Sequence, residues 1–248
     1  MAAYYQCENL EYPANFLKPM LVSGEEALYS MFYECYKLRE TMPLIGHTFT
    51  GSRVCYMMYN KSYKNIEICR QISLKQTEYR PFTNYLNNLS GNNYQNLSYM
   101  EPETKLRIIE DIKIQNMNGD ATFIQAFAGH NNLVKTPTIT IDNVGNNSEA
   151  FLAYTFTWCK GLTEGCKFTK KFPMKYEDMK ETYSGDENIT KIWIPTSTDL
   201  SAEDCVKGLF VSVEGFGRVA NVGTVYLKAG VTIPSNANKP DSWEVVND

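Results

Sequence analysis

The chain has 248 residues with 24 Lys+Arg against 28 Asp+Glu, a net charge of −4, 43% hydrophobic and 21% charged residues. That balance excludes wholesale disorder, and its acidic sign disfavours a phosphate backbone as the main partner. No run of about 18 apolar residues occurs, which excludes a membrane-spanning helix.

In chain order, the opening Met1-Ala2-Ala3-Tyr4-Tyr5-Gln6-Cys7-Glu8 carries neither the basic nor the apolar stretch of a secretion signal. An intracellular protein is therefore expected, its seven cysteines (Cys7, Cys35, Cys55, Cys69, Cys159, Cys166, Cys205) reduced and mostly buried. Ser23 and Glu26 make a capping box, and Leu28, Met31, Phe32 and Cys35 recur at helical spacing. These predict an amphipathic helix over Glu25–Glu40, stopped by Pro43.

Beyond Arg53 the signals are mostly those of strands. Val54–Tyr59 and Asn65–Ile72 read as strands around a turn, and Gln76–Glu101 as a polar surface excursion. Leu106, Ile108, Ile112 and Ile114 alternate with charged residues, and Asn118-Gly119 predicts a hairpin with Ala121–Ala128 as its return strand. Thr138–Ile141, Leu152–Trp158, Lys191–Pro195, Leu209–Val213 and Val225–Ile233 continue the period-two pattern, with brief helical turns near Tyr176 and after Ser201. No internal repeat or linker stands out. The expectation is a single mainly β domain over 1–248, an antiparallel β-sandwich of jelly-roll type, with residues 1–45 as N-terminal segment and helix and 50–248 as the sandwich.

Catalytic templates are missing. Gly215-Phe216-Gly217-Arg218-Val219-Ala220 matches the dinucleotide pattern G-x-G-x-x-A, but strand-like alternation follows it where a helix should hold the pyrophosphate. There is no G-x-S-x-G, H-E-x-x-H or P-loop, no C-x-x-C, and only His47 and His130 to serve as bases. A Cys–His nucleophile stays open, because such partners meet only in the fold. Neither an enzyme nor a metal or cofactor site is expected. Lys167, Lys170, Lys171 and Lys175 form a candidate anion or nucleotide patch, interleaved with Glu164, Glu177 and Asp178. Of 17 tyrosines, 13 fall in the first 99 residues, a bias toward contact surfaces. Tyr4, Tyr5, Tyr29, Tyr33, Tyr36 and Phe32 are the candidate inter-subunit contacts.

The closing run Lys207-Gly208-Leu209-Phe210-Val211-Ser212-Val213-Glu214-Gly215 through Val222-Gly223-Thr224-Val225-Tyr226-Leu227 resembles the final strands of viral jelly-roll proteins. The segment Met1–Lys18 lacks the basic arm of genome-packaging coats: it has no arginine and one lysine. In size, tyrosine content and layout the chain is similar to the cypovirus polyhedrins. That resemblance implies a non-enzymatic structural protein that forms homotrimers, packs into crystalline inclusions around virus particles in the host-cell cytoplasm, and has no membrane partner. Some members bind nucleotides, and the resemblance makes nucleotides a candidate partner of this chain. It carries over no site residue by residue. A jelly-roll coat forming a closed shell is the alternative, and a carbohydrate-binding sandwich a third reading. Release at alkaline pH is expected, since cysteine, tyrosine and lysine all titrate above about pH 8.5.

Overall fold

The computed structural model describes residues 4–86, 104–213, 215 and 217–248. Its strands, in chain order, are β1 (Leu21–Val22), β2 (Leu44–Phe49), β3 (Ile68–Cys69), β4 (Ile72–Thr77), β5 (Ile108–Ile109), β6 (Ile112–Met117), β7 (Thr138–Val144), β8 (Lys167–Phe168), β9 (Lys191–Trp193), β10 (Gly223–Leu227) and β11 (Trp243–Asn247). Every strand pair is parallel. The sheets run β1-β2-β4-β6-β7-β8, β11-β10-β9 and β3-β5. In the register, Leu44 pairs Ile72, Ile72 pairs Ile112, Ile112 pairs Ile139, and Thr138 pairs Lys167. Across the six-stranded sheet the chain therefore winds as a solenoid, one coil every 27–29 residues, lengthened to 40 between Ile72 and Ile112. In the three-stranded sheet the offsets are 33, from Lys191 to Thr224, and 20, from Gly223 to Trp243.

Inward side chains repeat with the coil and stack on themselves. Ile72, Ile112 and Ile139 form one column, and Leu74, Ile114 and Ile141 the next, all within 4% of full burial. In β2 a bulge at Gly46, where φ is +74°, turns His47 inward opposite Leu74. At the end of each turn segment a further column, Leu38, Ile66, Leu106, Leu133, Leu162 and Ile189, is fully buried. Each coil alone exposes this apolar face, and only stacking covers it.

Opposite the strands runs a tape of turns. In 24–36, 51–62, 119–130, 148–159 and 175–186, N–H groups alternate between an i−3 turn carbonyl and a carbonyl of the next coil, as in Tyr29→Glu26 and Leu28→Val54, or Ala126→Phe123 and Phe123→Phe151. Every fourth residue adopts positive φ: Glu26, Ser30 and Glu34; Arg53, Met57 and Lys61; Ala121, Gln125 and Gly129; Ala150, Tyr154 and Trp158. An L side chain resists that conformation by about 1–2 kcal/mol, part of which glycine's greater freedom when unfolded offsets. Ala150→Gly, at φ +53°, is therefore expected to stabilise the chain by about 0.5–1 kcal/mol, raising Tm by a few degrees in a thermal melt; a lower Tm would show that the left-handed register is wrong.

This architecture corrects several expectations. The sandwich is not antiparallel and not a jelly roll, because alternation reports one buried face and is blind to the direction of the neighbouring strand. Residues 25–34 and 36–37 are turns and Glu40 bridges to Ile68, so the expected amphipathic helix over 25–40 does not form. A turn unit of four residues turns Leu28, which is partly buried, and Phe32, which is fully buried, inward with nearly the spacing of a helical stripe. Positive φ at Glu26, Ser30 and Glu34 is incompatible with an α-helix. Val54–Tyr59, Ala121–Ala128 and Leu152–Trp158 are turn tape as well, and the segments near Tyr176 and after Ser201 are turns, not helix.

Asn118-Gly119 closes no hairpin. A Cβ on Gly119 would stand 2.1 Å from the carbonyl carbon of Glu78, so glycine is needed there for close approach of two coils. Leu209–Val213 holds only an isolated bridge, Val211 to Arg218, and β10 ends at Leu227, short of Ile233. Residues 87–101 of the expected surface excursion lie outside the described residues, whereas Phe82, Tyr85 and Leu86 are fully buried.

An internal repeat exists after all. Its marks are Tyr4-x-x-Cys7-x-x-Leu10, Phe32-x-x-Cys35-x-x-Leu38, Tyr59-x-x-Ser62, Phe127-x-x-His130-x-x-Leu133, Phe156-x-x-Cys159-x-x-Leu162 and Tyr183-x-x-Asp186-x-x-Ile189. The aromatic position stacks along the solenoid: Tyr4 on Phe32 and Phe32 on Tyr59 at 5.0 Å, Phe127 on Phe156 at 5.7 Å, and Phe156 on Tyr183 at 5.9 Å. Such pairs add about 0.5–1.5 kcal/mol each beyond area burial.

Candidate contact surface

The variable position of the repeat forms a buried polar column. Ser62 Oγ accepts the N–H of Cys35 at 2.7 Å and donates to the Phe32 carbonyl. Cys159 Sγ donates to the Phe127 carbonyl at 3.1 Å, and Asp186 Oδ1 accepts the Cys159 N–H at 2.6 Å. His130 Nε2 donates to the Leu86 carbonyl at 2.9 Å. The column thus satisfies backbone groups that close each turn segment, and hydroxyl, thiol, imidazole and carboxyl all serve. Burial pushes the His130 pKa down to about 4 and the Cys159 thiol well above its ordinary range. Although His130 and Cys159 are column neighbours, both are at most 1% exposed, so no substrate reaches a Cys–His pair here.

His47 is likewise buried and accepts the Met20 N–H on Nδ1, with its pKa lowered by burial. Among the described residues no group of His, Cys, Asp and Glu is placed to hold a metal ion, and no helix is long and apolar enough to cross a membrane. A shallow depression of about 270 Å³ lies between Lys135, Thr136, Thr163, Glu164 and Lys167. Its carboxylate is already bonded to Lys191 at 2.7 Å and paired with Lys167 at 3.5 Å.

The outward side of the turn tape is where the tyrosines gather. Tyr5 stacks on Tyr33 at 4.9 Å, and the Lys61 ammonium sits 4.9 Å over the Tyr33 ring. Lys61 pairs with Glu34 at 2.8 Å, to which Gln6 also donates at 2.8 Å. Those two donors hold the Glu34 carboxyl down to about 2. One turn away, Tyr29 stacks on Tyr56 at 5.7 Å, and Arg53 lies 5.3 Å over Tyr56 while bridging Glu25 and Glu26. Tyr5 is 55% exposed, Tyr29 38% and Tyr36 44%. Residual burial, followed by the charge of Glu34, raises the Tyr36 phenol.

Of the residues singled out from sequence, Tyr5, Tyr29, Tyr33 and Tyr36 share this flank; Tyr4 is partly buried against Phe32, and Phe32 is core. Arg53, Tyr56 and Lys61 complete the surface. Only the coil spacing that places Lys61 beside Tyr33 could have revealed them.

The four lysines of the expected anion patch are each engaged. Lys167 reaches Glu164 and lies 4.9 Å over Trp193, Lys170 meets Asp142 at 2.6 Å, Lys171 meets Asp248 at 3.8 Å, and Lys175 donates to the Gly145 carbonyl. No protein-family model, curated protein or solved structure matches the chain.

Proposed function

We propose that the chain is a non-enzymatic interaction scaffold, a parallel solenoid that associates with a second copy of itself through the tyrosine flank of its first coils. The observation that carries this reading is the pair of ordered, outward aromatic stacks, Tyr5–Tyr33–Lys61 and Tyr29–Tyr56–Arg53. Stacking has already restricted these rings, so a partner that covers them loses little further rotamer freedom. Arginine, lysine, carboxylate and phenol alternate there, so the patch is complementary to its own two-fold image. The viral matrix and closed-shell readings drew on a two-layer sandwich that the parallel coils replace, and self-association without turnover is the part that does not depend on it.

Sedimentation velocity tests the proposal. The wild-type chain is expected to associate as its concentration rises through the micromolar range. Tyr5→Ser/Tyr29→Ser/Tyr36→Ser, with an unchanged circular dichroism spectrum, is expected to stay monomeric. A monomeric wild type, or a variant that associates equally well, would remove the reading.

A further inference from the structure

We propose that Cys7 and Cys35 are a disulfide-forming pair that fastens the first described coil to the second. Both occupy the polar-column position of the repeat, three residues after Tyr4 and Phe32, whose rings stack at 5.0 Å and 7°. Gln6 donates its N–H to the Tyr33 carbonyl at 2.8 Å and Tyr4 to that of Met31 at 3.0 Å, so the two coils are in register at this point. Parallel neighbours in register stand about 4.8 Å apart, inside the Cα separation of about 4.4–6.8 Å that a disulfide accepts. Cys35 Sγ donates to the Tyr4 carbonyl at 2.9 Å, so the thiol is turned toward the coil that carries Cys7.

The pair is singular in the column. The next position after Cys35 is Ser62, and Cys159 lies between His130 and Asp186. Cys7 is also the one cysteine of seven that is not buried, so an external reagent can reach it.

The oxidant is a low-molecular-weight disulfide. The Cys7 thiolate attacks one of its sulfurs, the external S–S bond breaks, and a small thiolate leaves. Cys35 gives its proton to that thiolate and attacks the Cys7 sulfur of the mixed disulfide, expelling the second small thiolate, which takes a proton from solvent. Two protein thiols are oxidised and one external disulfide is reduced to two thiols. Burial raises the Cys35 thiol pKa, so the second step quickens as pH rises.

The test is incubation of the folded chain with oxidised glutathione at mildly alkaline pH, followed by acid quench, alkylation and peptide mapping. The expected product is a chain with no covalent link to another, five of its seven thiols left and a Cys7–Cys35 linked peptide. Cys35→Ser is expected to stop at a glutathione adduct on Cys7, and Cys7→Ser to keep all six of its thiols. A wild-type chain that keeps seven thiols, that carries glutathione on Cys7 beside a free Cys35, or that links to a second chain through Cys7 would overturn the proposal.

Discussion

Raising the pH from 8 to about 10.5 is expected to unfold the chain, with cysteines leading and tyrosines following. Cys55, Cys69, Cys159 and Cys166 are fully buried, and burial raises each thiol, that of Cys69 to about 12. In an unfolded chain these thiols ionise near pH 9, so above that pH the unfolded state binds fewer protons than the folded one. For an acid whose folded pKa is raised, stability is intact below the unfolded value and falls as pH climbs through it. Each thiol contributes about 1 kcal/mol of loss between pH 9 and 10, roughly 4 kcal/mol for the four together. That is comparable to the entire stability of an ordinary domain, about 5–15 kcal/mol. Above pH 10 the phenols of Tyr59, Tyr85 and Tyr183, all raised by burial, continue the loss. Far-UV circular dichroism against pH checks this, and Cys159→Ser, which keeps a donor for the Phe127 carbonyl and removes one titrating group, should move the midpoint upward. A chain still folded at pH 11 would contradict the assignment of these side chains to the core.

The alternating segments Thr138–Ile141 and Lys191–Pro195 were legible as strands because half-burial writes itself into period two, and the strands observed there are β7 and β9. What alternation cannot report is the neighbour, and for every named strand the neighbour is parallel. In sequence the turn tape looks like helix at Leu28, Met31 and Phe32 and like strand at Leu152–Trp158. It has a four-residue unit that buries a stripe, yet its outward residues Tyr154 and Trp158 are bulky enough to look like one face of a strand. The repeat escaped because its most regular position is defined by what it satisfies, not by its side-chain class: Cys35, Ser62, His130, Cys159 and Asp186 share a backbone role and almost no chemistry. Spacing hid it further, since the coil between Ile72 and Ile112 is about a dozen residues longer than its neighbours. The tyrosine surplus singles out Tyr5, Tyr29, Tyr33 and Tyr36, which the structure places on one flank, whereas the cations beside them sit on the next coil and are remote in sequence.

Asp186→Asn is expected to stabilise the chain at neutral pH and to leave it nearly unchanged near pH 3.5. Asp186 is fully buried, and burial raises its carboxyl well above the ordinary value, with only the Cys159 N–H to favour the charged form. Its Oδ1 accepts that N–H at 2.6 Å, while Oδ2 has no partner among the described residues. The repeat puts the Phe156 carbonyl in the place of those of Phe32 and Phe127, which receive donors from Ser62 and Cys159, so the expected occupant of Oδ2 is a proton directed there. A folded carboxyl that stays protonated while the unfolded one ionises costs about 1.4 kcal/mol of stability per pH unit above about pH 4. This loss is absent below the unfolded pKa and grows as pH rises toward the folded one. Asparagine offers the same acceptor and a permanent donor with no proton to bind, so it should recover about 2–4 kcal/mol at pH 7. Asp186→Ala, which leaves the Cys159 N–H without its acceptor, should instead lose about 1–3 kcal/mol relative to the asparagine variant from that orphaned group, plus the cavity left behind. Urea unfolding of the three proteins at pH 3.5 and pH 7 separates these outcomes. A destabilising asparagine, or a gain of equal size at both pH values, would mean that the carboxylate is charged in the folded chain and that the column does not tolerate a carboxylic acid as it does a hydroxyl or a thiol.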